Sequence, residues 1–347
     1  CRRLSITCVK TKSTPPCCRK ASTWSATTAC RSDGSNGSAD GATTSIRKNP
    51  VLPGFYADPE VMYSEKTGRY YIYPTTDGIL NWGSTAFKAF SSDDLVNWKE
   101  EGVILDLKDV SWAKKNAWAP CIIEKKQADG NYKYYYYYTA EQQIGVAVAD
   151  SPTGPFIDSG TPLIDKVRPG GMSKGQNIDP DVFTDPVSGK TYLYWGNYYM
   201  AVCELNEDMV SIKPNTTKIL IDNDAYYSEA AHVFYRNGYY YFTWSKNDTR
   251  SPEYQVRYVR AKSPVDPIDA SKSEVILCKK PEQGIFGTGH HSVLPLPGKD
   301  EWRIVYHRFK FPDAVTMGRN AGFHREVCID KLEFDENDSI IKIVPTL

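Results

Sequence analysis

The 347 residues carry 42 basic and 42 acidic side chains and therefore no formal net charge, which offers neither nucleic acid nor an anionic membrane surface anything to grip. No apolar run approaches the roughly 18 residues that a membrane-crossing helix needs. Tyr (24) and Trp (8) are abundant, and Pro (22) and Gly (24) are spread along the chain, a makeup that suits many short strands joined by turns rather than helices.

Residues 1–48 read differently from the rest. They have little periodicity, are rich in Ser, Thr, Cys and basic residues, and contain Cys1, Cys8, Cys17, Cys18 and Cys30 at spacings that match no zinc or haem pattern. With neither an initiating Met nor an apolar h-region, the segment is not an intact signal peptide and is expected to be a poorly ordered or non-native leader. Cys121, Cys203, Cys278 and Cys328 are singletons inside strand-like runs, which predicts buried free thiols. Asn215, Asn247 and Asn337 head glycosylation tripeptides, which matter on a eukaryotic secretory route.

From Asn49 onward one pattern recurs five times: a lead residue, then an aromatic strand ten to fifteen residues later, usually behind a Gly turn. The pairs are Asp58 with GRYYIY, Ala119 with NYKYYYYY, Asp179 with GKTYLYW, Glu229 with NGYYYFTW and His290 with EWRIVYH. The leads are spaced by 61, 60, 50 and 61 residues. A radial repeat of this size predicts an all-β, five-bladed β-propeller filling residues 49–347 as a single catalytic domain. Blade one runs from Tyr56 to Leu107. Blade two starts at NAWAP and ends near residue 164, blade three starts at IDPDVFTD, and blade four at SEAAHVFY. Blade five starts at HHSVLPL and is expected to finish with a strand over SIIKIVP. The Gly-rich segment KVRPGGMSKGQN reads as a loop at the mouth, just before Asp179.

In a propeller the first strand of each blade lines the axis, so Asp58, Asp179 and Glu229 should meet in one pocket although far apart in sequence. Unpaired buried charge costs several kcal/mol or shifts its pKa, so three acids on one axis point to cation binding or proton handling. Inverting glycoside hydrolysis needs a protonated carboxyl on one side of the scissile bond and an ionised one on the other, roughly 6.5–9.5 Å apart. Glu60 and Asp181 compete for the same roles. They lie two residues further along the same strands, about 6.6 Å away, a shift that takes a carboxyl out of a compact site. Asp58 and Asp179 also precede prolines, where Asp often serves only a turn.

The ordered set ADPEVMY, WAP, IDPDVF, SEAAHVFY and GTGHHSV resembles glycoside hydrolase family 43 across about residues 49–347. The resemblance implies an inverting enzyme that removes xylose or arabinose, with Asp58 as general base, Asp179 as pKa modulator and orienter, and Glu229 as general acid. The chain departs from the family where Ala230-Ala231 stands in place of the frequent Gly-Pro. The resemblance further implies that Arg325 contacts substrate hydroxyls and the carboxylates, with Arg319 as its competitor, and that His290 lies beneath the sugar beside a structural calcium ion, which makes it a candidate metal contact. No cofactor is needed for the chemistry itself.

Trp118 opens the blade-two strand and offers an aromatic face for a sugar ring. His291 should point to the opposite face from His290, and His232, His307 and His324 carry no strong claim. The stretch GRNAGFHREVCIDKLEF is similar to short xylosidase-like members. It implies an exo-β-1,4-xylosidase with α-L-arabinofuranosidase activity, acting on xylo-oligosaccharides and arabinose-substituted oligosaccharides, and a secreted, extracellular location is the expectation. An arabinan-degrading enzyme and a non-catalytic sugar-binding propeller are the alternatives. A retaining fructan hydrolase would open on Asn-Asp-Pro-Asn, where this chain has Ala57-Asp58-Pro59-Glu60.

Overall fold

A computed structural model describes residues 49–222 and 225–347; the expected leader, with its five cysteines, lies outside the described residues. Nineteen strands form five antiparallel sheets. Blade one holds β1 (Tyr56–Ser64), β2 (Arg69–Thr76), β3 (Ala86–Ser92) and β4 (Lys99–Asp106). Blade two holds β5 (Trp118–Lys126), β6 (Tyr132–Ala140), β7 (Gln143–Ala149) and β8 (Ile157–Asp158). Blade three holds β9 (Asp181–Thr184), β10 (Thr191–Trp195), β11 (Met200–Glu204) and β12 (Lys218–Ile221). Blade four holds β13 (Glu229–Arg236), β14 (Tyr239–Lys246), β15 (Gln255–Ala261) and β16 (Glu274–Leu277). Blade five holds β17 (Gly289–Pro295), β18 (Trp302–Phe309) and β19 (Arg325–Leu332). First strands touch in a ring, β1 with β5, β5 with β9, β9 with β13, β13 with β17 and β17 with β1, which closes the five-bladed propeller. No helix among the described residues is long and apolar enough to cross a membrane.

The second strand of each blade is buried on both faces, which is why these runs read as continuous aromatics rather than as alternation. Along β6, Tyr134, Tyr136 and Tyr138 point into the core shared with blade one, beside Tyr73 and Phe87. Tyr135 and Tyr137 point the other way, into the core shared with blade three, beside Leu193 and Trp195. A period of two thus lets one strand serve two neighbours. Each fully buried aromatic contributes about 1.5–3 kcal/mol of burial, and edge-on pairs such as Tyr73–Tyr136 and Phe87–Tyr138 add to it.

Blade five departs from expectation. Its sheet has three strands, and SIIKIVP forms only a bridge, Phe334 to Ile340. Beyond that bridge the Ile343 amide donates to Ile276 O of blade four, so the tail spends its backbone bonds elsewhere. Along the other side of β19, Val51 N–H donates to Val327 O. The Asn49 side chain then substitutes for a strand residue, accepting from Ile329 N–H at 2.9 Å and donating to Ile329 O at 3.3 Å. Leu52 and Tyr56 pack there with Leu294, Val305 and Val327, sealing blade five to blade one. Cys121, Cys203, Cys278 and Cys328 are free thiols, with Cys278 less deeply placed than the others.

The two-faced aromatic strand yields a paired test. Tyr137 O–H donates to Met209 O at 2.6 Å, whereas the buried Tyr136 hydroxyl has no partner among the described residues. Tyr137→Phe should lower unfolding stability by about 1 kcal/mol or more, and Tyr136→Phe should leave it unchanged or raise it; urea unfolding of the two variants beside the parent measures the contrast.

Candidate active site

Each blade enters the axis through a residue in the left-handed region. These are Asp58 (φ 48), Ala119 (φ 39), Asp179 (φ 58), Ala230 (φ 59) and His290 (φ 41). In four blades a register shift marks the spot, between Ala57 and Glu60, Trp118 and Cys121, Glu229 and His232, and Gly289 and His291. Such a bulge turns the local amide out of its own ladder, and the preceding blade satisfies it. Thr75 Oγ1 accepts from Ala119 N–H, Thr139 Oγ1 from Asp179 N–H, Ser245 Oγ from His290 N–H, and His307 Nδ1 from Asp58 N–H.

The corresponding position of blade three is Gly196, whose amide donates to Ile178 O and which has no side chain to offer. Tyr199 fills the space where a Cβ would stand. The orphaned Ala230 amide donates instead to Asp179 Oδ2 at 3.1 Å. The missing cap thus fixes the Asp179 carboxylate. It also shows that Glu229 is not the structural counterpart of Asp58 and Asp179. It stands one residue earlier in its blade, in the position that Trp118 occupies in blade two, so the fivefold spacing read from sequence is one residue out at blade four.

A cavity of about 420 Å³ opens at this end of the axis, lined by Asp58, Asp179, Glu229, Trp118, His290 and Arg325, together with Trp82 and the segment from Lys246 to Arg250. All six residues singled out from sequence therefore share one cavity. The three carboxylates sit in different surroundings. Burial alone would raise the Asp58 carboxyl, but the Arg325 guanidinium at 2.9 Å, with His290 and His307 each 3.2 Å away, holds it well below the usual carboxylate range. Burial pushes Glu229 up to about 7. The Tyr254 hydroxyl opposes the rise and the Asp58 charge adds to it. Burial also raises Asp179 well above its ordinary value, reinforced by the charges of Glu229 and Asp58. One carboxylate ionised and another protonated near neutrality is the division of labour that inverting hydrolysis requires.

Supporting contacts are specific. Arg325 is buried, and besides Asp58 it bonds Asp77 through Nε at 2.8 Å and through its own backbone amide at 2.9 Å. Arg319 stays on the surface near Asp248, 3.7 Å away. Glu229 accepts from Tyr254 O–H at 2.8 Å and from Asn197 Nδ2 at 3.0 Å. Trp118 stands edge-on to Trp82 and donates from Nε1 to Trp82 O at 2.6 Å. Glu60 and Asp181 do not line the cavity. Glu60 accepts weakly from the Cys121 thiol at 3.8 Å, and Asp181 holds His232 Nδ1 at 2.9 Å and the Val233 amide at 2.9 Å. His291 faces away from the cavity and reaches Thr243 Oγ1 at 2.7 Å, while His324 bonds Asn320 O outside the axis.

One reading from sequence needs correction. His307, given no strong claim, caps the Asp58 amide and faces its carboxylate; as the last-but-two residue of a strand it carried no signal of its own. His290 turns its Nδ1 to Asp58, 3.2 Å away, and burial, only partly offset by that charge, lowers its imidazole to about 4. Among the described residues no group of three or more His, Cys, Asp or Glu side chains is placed to hold a metal ion. Asp77, Asn197 and Tyr254 were not singled out at all, since each sits in a run that reads as an ordinary turn or strand exit.

Comparison with known proteins agrees with this geometry. The model for glycosyl hydrolases family 43 matches residues 47–340. A β-D-galactofuranosidase of Aspergillus niger is 34% identical over 318 residues, covering 88% of each chain. A xylosidase/arabinosidase of Bacteroides ovatus is 28% identical, covering 85% of this chain and 97% of its own. Among solved structures, an α-L-arabinofuranosidase from Clostridium thermocellum is 30% identical with a TM-score of 0.66, covering 84% of this chain and 94% of its own. A thermostable family-43 glycoside hydrolase reaches a TM-score of 0.70 at 28% identity, covering 86% and 96%. The protein belongs to glycoside hydrolase family 43.

Proposed function

We propose that the protein is an exo-acting, inverting glycosidase that releases terminal xylose or arabinose from xylan- and arabinoxylan-derived oligosaccharides. The observation that carries this reading is the opposed environment of Asp58 and Glu229 within one cavity. In the proposed step Asp58 takes a proton from water as the water oxygen bonds the anomeric carbon. The glycosidic C–O bond breaks and Glu229 delivers its proton to the departing oxygen. Asp179, held by the Ala230 amide and itself raised well above its ordinary value by burial and by the charges of Glu229 and Asp58, orients Glu229. Trp118 walls the sugar, and Arg325 keeps the base ionised.

The relatives support pentose release, since one is named a xylosidase/arabinosidase and another an α-L-arabinofuranosidase. A second reading, release of β-D-galactofuranose, is favoured by the 34% identity to a galactofuranosidase. That sugar and α-L-arabinofuranose share their ring configuration and differ by one exocyclic hydroxymethyl group.

Nitrophenyl β-D-xyloside, α-L-arabinofuranoside and β-D-galactofuranoside distinguish these readings by kcat/KM. Asp58→Asn and Glu229→Gln should each cut turnover of the preferred oligosaccharide by about 10²–10⁴-fold, and proton NMR should find the inverted anomer first. Unchanged turnover in either variant, or a retained anomer, contradicts the mechanism.

The pH profile follows from the same pair. Glu229 must be protonated, so kcat/KM should fall as pH rises through about 7. Asp58 must be ionised, so the acid limb should lie below the ordinary carboxylate range. Arg325→Met removes the charge that depresses Asp58, and should move the acid limb up toward neutrality while costing about 3–5 kcal/mol of stability for the broken buried pair.

A further inference from the structure

Tyr254 lies at the end of the segment that carries Lys246 to Arg250 past the cavity, immediately before β15. It is fully buried. Its hydroxyl donates to Glu229 Oε1, and its ring lies flat on the imidazole of His307, centroids 5.5 Å apart and planes 2° from parallel. That imidazole in turn accepts the Asp58 amide and faces Asp58 Oδ1. Two stacked rings therefore link the carboxyl of blade four to the carboxylate of blade one. The packing leaves it no slack, because a Cβ on Gly289 would fall 2.4 Å from Tyr254 Cδ1.

Inversion depends on a fixed gap between donor and base, since the attacking water must fit between the base and the sugar. Resting on the reading of Glu229 as proton donor, we propose that Tyr254 is a positioning residue, a strut that spaces Glu229 from Asp58 through the stacked His307 and receives the Glu229 carboxylate once its proton has left. When the glycosidic bond breaks, the Glu229 proton passes to the leaving oxygen, and the new carboxylate is held by Tyr254 O–H on one oxygen and Asn197 Nδ2 on the other. These bonds are worth more to the charged form than to the neutral one, so they strengthen as the transition state is approached.

The groups around Glu229 come from several elements: Asp58 from blade one, Asp179 and Asn197 from blade three, Tyr227 from the turn before β13, Lys246 from the end of β14, Asp248, Arg250 and Tyr254 from the segment before β15, and Arg325 from β19. Tyr254 and Asn197 hydrogen-bond the carboxyl through their side chains, so removing the phenol oxygen deletes one of these donors and leaves the charges in place.

Tyr254→Phe keeps the ring and its stack and deletes the donor. The Glu229 carboxyl should then titrate about 1–2 pH units higher, read from its infrared C=O band assigned by difference against Glu229→Gln, and the basic limb of kcat/KM should move up with it. Turnover of a substrate with a poor leaving group should fall about 10–100-fold in kcat with KM little changed, while a dinitrophenyl glycoside, which needs no proton, is spared. Incorporation of 3-fluorotyrosine at position 254 provides a stronger donor of nearly the same shape, and should move both readouts the opposite way even where the Phe variant folds poorly. A carboxyl band that titrates identically in all three proteins overturns the role of Tyr254. A band that shifts while the basic limb stays still leaves Tyr254 as the partner of Glu229 and overturns Glu229 as the donor, so the two failures are distinguishable.

Discussion

One left-handed residue at the entrance of every blade is the constraint on which the rest depends. For a non-glycine residue this conformation costs about 1–2 kcal/mol, and the bulge it creates strips an amide of its ladder partner. Thr75, Thr139, Ser245 and His307 each accept such an amide from the next blade, so blade joints are made by directed bonds as well as by aromatic packing. A hydroxyl or imidazole at the exit of one second strand therefore decides how the following blade meets the axis. Gly196 breaks the series, and the amide left over selects a carboxylate, Asp179. A buried carboxylate sits at the joint where the repeat lacks its own cap.

The electrostatic contrast between Asp58 and Glu229 has the same local origin. Both belong to strands that bring a carboxyl to the axis, and burial pushes both upward. Blade five supplies Arg325, His290 and His307 to Asp58, so the charged form wins there. Glu229 receives direct bonds from the neutral donors Tyr254 and Asn197. Two identical functional groups are shifted in opposite directions because of which blade each one faces.

Much of this was legible in the sequence. The period of the aromatic strands gave the blade number, and the acids ahead of three of them gave the residues that meet in the cavity. What spacing alone could not reveal was the bulge, and with it the one-residue offset of Glu229. A bulge inserts a residue without altering composition, so Glu229 and Ala230 look interchangeable as lead positions. Asp77 was hidden because Thr-Thr-Asp-Gly reads as a turn, although its carboxylate serves the Arg325 guanidinium. His307 and Tyr254 were hidden because each acts through another side chain, and contacts between residues 249 and 25 positions apart leave no local pattern. The last strand of blade five was over-read for a related reason. SIIKIVP has strand composition, yet its amides are committed to Glu333 and Ile276 and no continuous ladder remains.

Arg325 belongs to blade five, and the carboxylates it holds, Asp58 and Asp77, belong to blade one. The clasp that joins the last blade to the first is therefore also the group that keeps the Asp58 carboxylate charged. Across the same seam the outer edge is bridged by the amide of a single asparagine, Asn49, in place of a full strand. Were the ring to part there, the charge pairing of Asp58 would be lost while Glu229 and Tyr254, both in blade four, stayed together. Circular closure and basicity are thus a single property of this molecule, and neither can be adjusted without the other.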